Sequence, residues 1–266
     1  MKTIWRPLGR SAANALLTVG IVLVAWWAIV SFAGISPYVA KGPAEVWEFL
    51  FVDTDAAANR AGLWPLLGQT LQDSLLGFVT GMVAALVLAV AFSLSRAIEA
   101  GVMPLALLLR SIPLVAIAPV IILITGRGTA ASVAVIGSIV VLFPALASIL
   151  FGLSRASTQS LDLVRVYGGG RFAQLRKVNI PGALPSLFAA ARVSVPGAVT
   201  GALLAEWLST GTGIGGMIQK FTAQARFDDL WASVAIITLV TLVLYNVVQI
   251  VENVVLARMG MATTVE

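Results

Sequence analysis

Apolar residues run along this chain in long unbroken blocks, without the strict alternation of a half-buried strand. Six blocks are long enough to cross a bilayer, at roughly 14–33, 68–93, 102–125, 129–151, 187–207 and 231–256, because about 20 apolar residues span the hydrocarbon core. Each block must be helical, since lipid offers no partner for backbone N–H and C=O groups. Pro104, Pro113 and Pro119 in the third block and Pro196 in the fifth predict kinked or unwound helices held inside protein. Residues 34–66, with Pro37, Pro43 and Pro65, read as an outer loop carrying a short interfacial helix. Residues 152–186 form a second long connection.

Composition agrees with a bilayer as the solvent. Hydrophobic residues make up 59% of the chain, charged residues 11%, and the mean hydropathy is +0.98, whereas a soluble domain is about 45–50% apolar and about 25% charged. The net charge of +5 does not point to nucleic acid, because the basic residues sit singly or in small groups between apolar blocks. The absence of cysteine and histidine excludes disulfides, thiol nucleophiles and the usual zinc sites and removes the commonest general base. No catalytic residue, metal site or resident cofactor is expected. Lys2, Arg6 and Arg10 precede an apolar run as in a secretory leader, but the run from Ala12 to Ala33 exceeds the roughly 7–15 residues of such a leader. It reads as a retained first span.

Six spans place both ends of the chain on one side, and the basic residues choose the side. With the N-terminus inside, Lys2, Arg6, Arg10, Arg96, Arg155, Arg165, Arg171, Arg176, Lys177 and Arg258 are cytoplasmic, and Arg110 and Arg192 lie near cytoplasmic helix ends. Lys41, Arg60, Arg127, Lys220 and Arg226 fall outside. The excess predicts an all-α membrane protein of about six transmembrane helices, N-in and C-in.

The inside connection holds the most specific pattern in the chain. A helix is expected to start after Ser157–Ser160 and to stop at Gly168-Gly169-Gly170, where glycine permits a left-handed turn. A second short amphipathic helix is expected from Arg171 to Val178, with Phe172, Leu175 and Val178 on one face. It is expected to end before Ile180-Pro181, because the residue before a proline disfavours helix. Such a helix–turn–helix, flanked by Arg171, Arg176 and Lys177, suits the membrane surface or a partner's groove.

The spacing of Asp162, Gly168, Val178, Ile180 and Pro181 resembles the cytoplasmic "EAA" loop of binding-protein-dependent ABC importer permeases, with Asp for Glu and Leu163-Val164 for two alanines. Pro43-Ala-Glu-Val46, the stretch Arg110–Pro119, and Ala205-Glu206 followed by Gly211–Gly215 are similar to segments of the nitrate/sulfonate/taurine branch; Thr125-Gly126 replaces its Phe-Gly. The resemblance implies one ABC transporter transmembrane domain over residues 1–266, in a bacterial inner membrane. It implies two cytoplasmic ATPase subunits that bind ATP and Mg, a second permease copy, an extracytoplasmic substrate-binding protein, and a small organic or inorganic anion as cargo. Asp162, Gly168, Gly169, Phe172, Leu175, Val178, Ile180 and Pro181 would couple to the ATPase. The chain carries no Gly-x4-Gly-Lys-Ser/Thr phosphate loop, so ATP hydrolysis belongs to a separate subunit.

Ionisable residues at membrane depth are costly and point to function, so Arg110, Arg192 and Glu206, with Pro113, are the candidate substrate-pathway residues. Gly77-x3-Gly81 and Gly197-x3-Gly201 are expected to serve helix packing. The competing class is a self-contained ion-coupled carrier or channel. It would need a charged relay drawn from Glu206, Arg110, Arg192 and Asp73.

Overall fold

The computed structural model describes residues 17, 19–32 and 34–260. Lys2, Arg6 and Arg10 and the start of the first expected span lie outside the described residues. Among the described residues every regular element is helical. These are α1 (Val19–Phe32), α2 (Pro43–Phe51), α3 (Ala56–Leu94), α4 (Arg96–Ser111), α5 (Leu114–Thr125), α6 (Ala130–Ser154), α7 (Thr158–Val166), α8 (Arg171–Gln174), α9 (Ile180–Ala205), α10 (Gly213–Ala223) and α11 (Phe227–Arg258). Two single π turns, Leu175–Asn179 and Glu206–Thr210, join α8 to α9 and extend α9. Among the described residues four runs are long and apolar enough to cross a membrane: Ala56–Leu94, Ala130–Ser154, Arg171–Thr210 and Phe227–Arg258.

The unwinding expected of the proline-rich block at 102–125 falls at Pro113: α4 ends at Ser111, Pro113 adopts ψ 122°, and α5 restarts at Leu114. Pro113 has no N–H to donate, and it pushes Ile112 out of helical geometry. The remaining α5 has 12 residues, about 18 Å at 1.5 Å per residue, too short for a core of about 30 Å. An expectation changes at Ile180-Pro181, where the helix continues instead of ending. Ile180 keeps φ −63° and ψ −49° and donates its N–H to the Leu175 carbonyl five residues back. The wider π turn makes room for the proline ring, which would otherwise strike the carbonyl four residues before it.

The chain divides into two compact units, one of residues 1–64 and 220–236 and a larger one of residues 65–219 and 237–266. In the smaller unit, α2 starts where the sequence supplies Pro43 at the first helical position and Glu45 at the third, whose carboxylate accepts the Gly42 N–H at 3.1 Å. Trp26 and Trp231 stack at 5.8 Å. Their indole N–H groups donate to the carbonyls of Lys41 (3.1 Å) and Val39 (2.8 Å), and Lys41 pairs with Asp228 at 3.1 Å.

In the larger unit, α3, α6 and α9 converge on glycine. A Cβ added at Gly77 of α3 would lie 2.8 Å from the Cα of Gly137 on α6, and one at Gly201 of α9 would lie 2.9 Å from that same atom. Gly81 approaches Val141 and the Ser138 carbonyl in the same way, and Gly197 lies against Val140. Both small-x3-small motifs are therefore helix contacts. Below this node the core is built from Ala85, Ala89 and Phe92 of α3, Val141, Ala145 and Ile149 of α6, and Ala183, Ala190 and Ala198 of α9.

Gly137→Val places a side chain where the Gly77 backbone already stands, since even a Cβ would meet its Cα at 2.7 Å. Overpacking costs about 1–3 kcal/mol, so a lowered Tm or loss of monodisperse protein in size-exclusion chromatography is expected. Gly101→Ala, where nothing lies within 4 Å, leaves both unchanged.

Candidate functional site

The 152–186 connection is a braced helix–turn–helix. Ser157 caps α7 by accepting the Ser160 N–H at 3.2 Å. At the far end Gly168 takes φ +78°, a conformation costly for any residue with a Cβ, and its N–H donates to the Arg165 carbonyl at 2.8 Å. Gly169 donates to the Val164 carbonyl at 2.8 Å, and a Cβ there would strike the Val164 side chain at 2.5 Å. One side chain braces the motif internally and two tie it to the bundle. The buried Gln174 donates to the Leu161 carbonyl (3.0 Å), Asn179 to the Leu153 carbonyl at the end of α6 (2.9 Å), and Arg171 to the Leu94 carbonyl at the end of α3 (3.2 Å).

The residues expected to form one coupling face separate into two groups. Leu175 is 4% exposed and belongs to the bundle core with Leu153 and Ala183. Val178 is half-buried and Pro181 exposed. Phe172 is 65% exposed, and Leu163, Val166 and Tyr167, at i, i+3, i+4 along and just past α7, are exposed as well; α7 contains no buried residue. Asp162 is exposed and pairs with Arg165 at 3.1 Å, an interaction of small energetic weight at a surface. Ile180 is partly exposed at the start of α9.

The second constellation centres on Glu206, which is fully buried. Its Oε2 accepts from the Thr70 hydroxyl on α3 (3.0 Å) and from the Gly215 N–H at the start of α10 (2.8 Å). Thr70 Oγ1 in turn accepts the Ile214 N–H at 2.9 Å. The first π-turn carbonyl, that of Glu206 itself, accepts the Gly211 N–H at 2.7 Å. Gly213 has φ +63° and no room for a side chain, because a Cβ there would run into the Glu206 carboxylate. Ser209 of the same π turn shares a 2.8 Å hydrogen bond with Ser132 of α6 and accepts the Gly128 N–H at 3.0 Å. A single five-residue turn therefore joins α3, α6, α9 and α10.

The remaining pathway candidates are placed apart from this cluster. Arg192 of α9 lies 3.3 Å from Glu252 of α11 and 5.8 Å from the Tyr245 ring centroid, so its charge is balanced within the chain. Arg110 is exposed at the end of α4, next to the break at Pro113. Thr70, Gln174, Asn179 and Glu252 carry roles that were not singled out beforehand. Of these only Glu252 offered a signal, an acid inside an apolar block opposite a basic one.

Comparison with known proteins places these features. A family model described as "Binding-protein-dependent transport system inner membrane component" matches residues 64–261. The chain is 30% identical over 230 residues to the "Probable ABC transporter permease protein" of Haemophilus influenzae, covering 86% of this chain and 91% of that one. It is 28% identical to the riboflavin transport system permease protein of Chloroflexus aurantiacus (94% and 89% covered) and 24% identical to the taurine transport system permease protein of Escherichia coli (90% and 88% covered). The crystal structure of an amino acid ABC transporter with histidines shares the fold, with a TM-score of 0.57 at 17% identity over 76% of this chain and 98% of that one.

Thr70→Val removes the acceptor of the buried Ile214 N–H and a donor to Glu206. An orphaned buried hydrogen-bonding group costs about 1–3 kcal/mol, so a lowered Tm is expected in thermal unfolding. Thr70→Ser, which keeps the hydroxyl, restores most of it.

Proposed function

From the premise that this chain belongs to the family of binding-protein-dependent transport system inner membrane components, we propose that its 152–186 loop is the seat of a cytoplasmic ATPase. The chain is a membrane-spanning permease subunit of an ABC transporter. Two such subunits, two ATPases and an extracytoplasmic binding protein make the working importer in this reading. ATP and Mg are held by the ATPases.

The observation that carries the proposal is the exposure of Leu163, Val166, Tyr167 and Phe172 on a motif that is otherwise rigidly tied down. A solvated connector has no reason to display four large apolar side chains, and a connector meant only to link two spans has no reason to be braced at three points. Docked into a partner's groove, these side chains supply affinity, and the braces carry displacement into the bundle. Leu175 acts from the other side, holding the motif on the bundle. Gly168 sets the angle between its two arms, and Asp162, paired with Arg165, keeps the first arm's basic charge in check.

Alternating access requires a bundle with two arrangements and a ligand that favours one of them. Closure of the ATPases on ATP would draw two such loops together and bias the helices to which α8 is fused. The relatives' names support a small organic solute, and the likeness to the taurine system supports one that bears an acidic group. Arg110, exposed beside the Pro113 break, is the residue suited to meet it; mass spectrometry of the solute retained by the cognate binding protein identifies that cargo.

Phe172→Glu and Val166→Glu are expected to lower co-purification of the ATPase by about tenfold or more, equivalent to about 1.4 kcal/mol, with the permease still folded by its Tm. Leu175→Glu instead is expected to unfold the loop or the chain. Undiminished ATPase capture by the folded Phe172→Glu and Val166→Glu proteins would overturn the assignment.

A further inference from the structure

The Glu206 cluster holds an imbalance that its hydrogen bonds do not resolve. Asp73, one turn along α3 from Thr70, is itself more than nine-tenths buried, at 8% exposure. Its Oδ1 accepts from Gln69 Nε2 at 3.1 Å. Its Oδ2 is buried without a hydrogen-bond partner, and so is Oε1 of Glu206. Thr70, which donates to Glu206, and Asp73 stand at i and i+3 on one face of α3, so the two carboxyl groups are neighbours. The groups that satisfy their other oxygens are Gln69 and Thr70 from α3 and the Gly215 N–H from α10. None is a cation, and neither acid belongs to any of the ion pairs described, which are Lys41–Asp228, Asp162–Arg165, Arg192–Glu252 and Arg226–Asp229.

Two facing carboxylate oxygens are both acceptors, so they cannot satisfy each other while both groups are ionised. Buried charge in a low-dielectric interior costs several kcal/mol per ion unless opposed by a partner, and a bilayer supplies none. Glu252, a buried acid in the same unit, has Arg192 at 3.3 Å, whereas Asp73 and Glu206 have no such cation among the described residues.

We propose that the gap between Asp73 and Glu206 is a binding site for one positive charge, either a proton bridging Oδ2 and Oε1 or a small alkali cation held between them. A bridging proton converts one acceptor into a donor and satisfies both orphan oxygens at once. An alkali ion does so by coordination, with Gln69 and Thr70 beside it. In either form the charge completes the cluster that fixes the Gly211–Gly215 turn, so the geometry of that turn becomes sensitive to the occupant. The site is independent of the solute carried and of ATPase docking.

The test is infrared difference spectroscopy on the transporter, purified with its ATPase in nanodiscs at mildly alkaline pH, in sodium, potassium and choline salts. Wild type is compared with Asp73→Asn and Glu206→Gln, and H2O with D2O to identify protonated-carboxyl stretches. A protonated-carboxyl band present in all three salts and lost in both variants supports a bridging proton. A band absent in sodium or potassium but appearing in choline, and lost in both variants, supports an alkali ion. No such band in any salt, or a band that survives both substitutions, overturns the proposal. Thermal unfolding gives a second reading: Asp73→Asn, which removes the need for the extra charge, is expected to unfold at or above the wild-type Tm and without dependence on salt cation. A purely structural Asp73 would instead make that variant less stable in every salt.

Discussion

Inside a bilayer, helices gain nothing by hiding apolar surface from lipid that is equally apolar, so they associate through close contact and shared polar groups. The approach of Gly77, Gly137 and Gly201 is the contact on which the larger unit depends. Where three backbones meet with no side chains between them, dispersion acts at its shortest range along α3, α6 and α9. The polar clusters above and below this node are anchored on the same three helices, and their hydrogen bonds of 2.8–3.2 Å presuppose the spacing the glycines set. A wider bundle would leave Thr70 out of reach of Glu206 and Arg171 out of reach of Leu94.

Much of this was legible because membrane insertion writes itself into sequence in long runs. The blocks around 129–151 and 231–256 needed only length and hydropathy to locate, and they lie within α6 and α11. The Ser157 start and the glycine stop of α7 were legible for a local reason: capping and left-handed turns are decided by residues within a few positions. Prolines were harder. Pro113 breaks a span as expected, whereas Pro181 is absorbed by a π turn, and Pro65, Pro104, Pro119, Pro144, Pro185 and Pro196 sit inside helices. Whether a proline interrupts a helix depends on what neighbouring turns can do for the freed carbonyl, which is a tertiary matter.

Side-chain partnerships were the least legible. Phe172, Leu175 and Val178 share one face by periodicity, yet Leu175, at the start of the π turn, joins the bundle core while Phe172, one turn earlier, stays outside. Glu206 was recognisable as an acid in an apolar segment. Its companions were not, since Thr70 is 136 positions away and one threonine in an apolar helix carries no signal. The Arg192–Glu252 pair shows the same limit: two charges of opposite sign in separate spans suggest neutralisation, but only the fold says that they meet.

The run from Arg171 to Thr210 is one continuous helical rod of 40 residues, about 60 Å at 1.5 Å per residue. One end is the arm that carries Phe172 and the other is the turn that carries Glu206, with a π turn close to each. Pro181, Pro185 and Pro196 remove hydrogen bonds from the rod's ladder without ending it, and the two π turns are places where one residue can slide in or out of register. The chain thus joins its 152–186 loop and its Gly211–Gly215 turn by one continuous helical run, and a one-residue insertion or deletion between the two π turns would rotate one end against the other by about 100°.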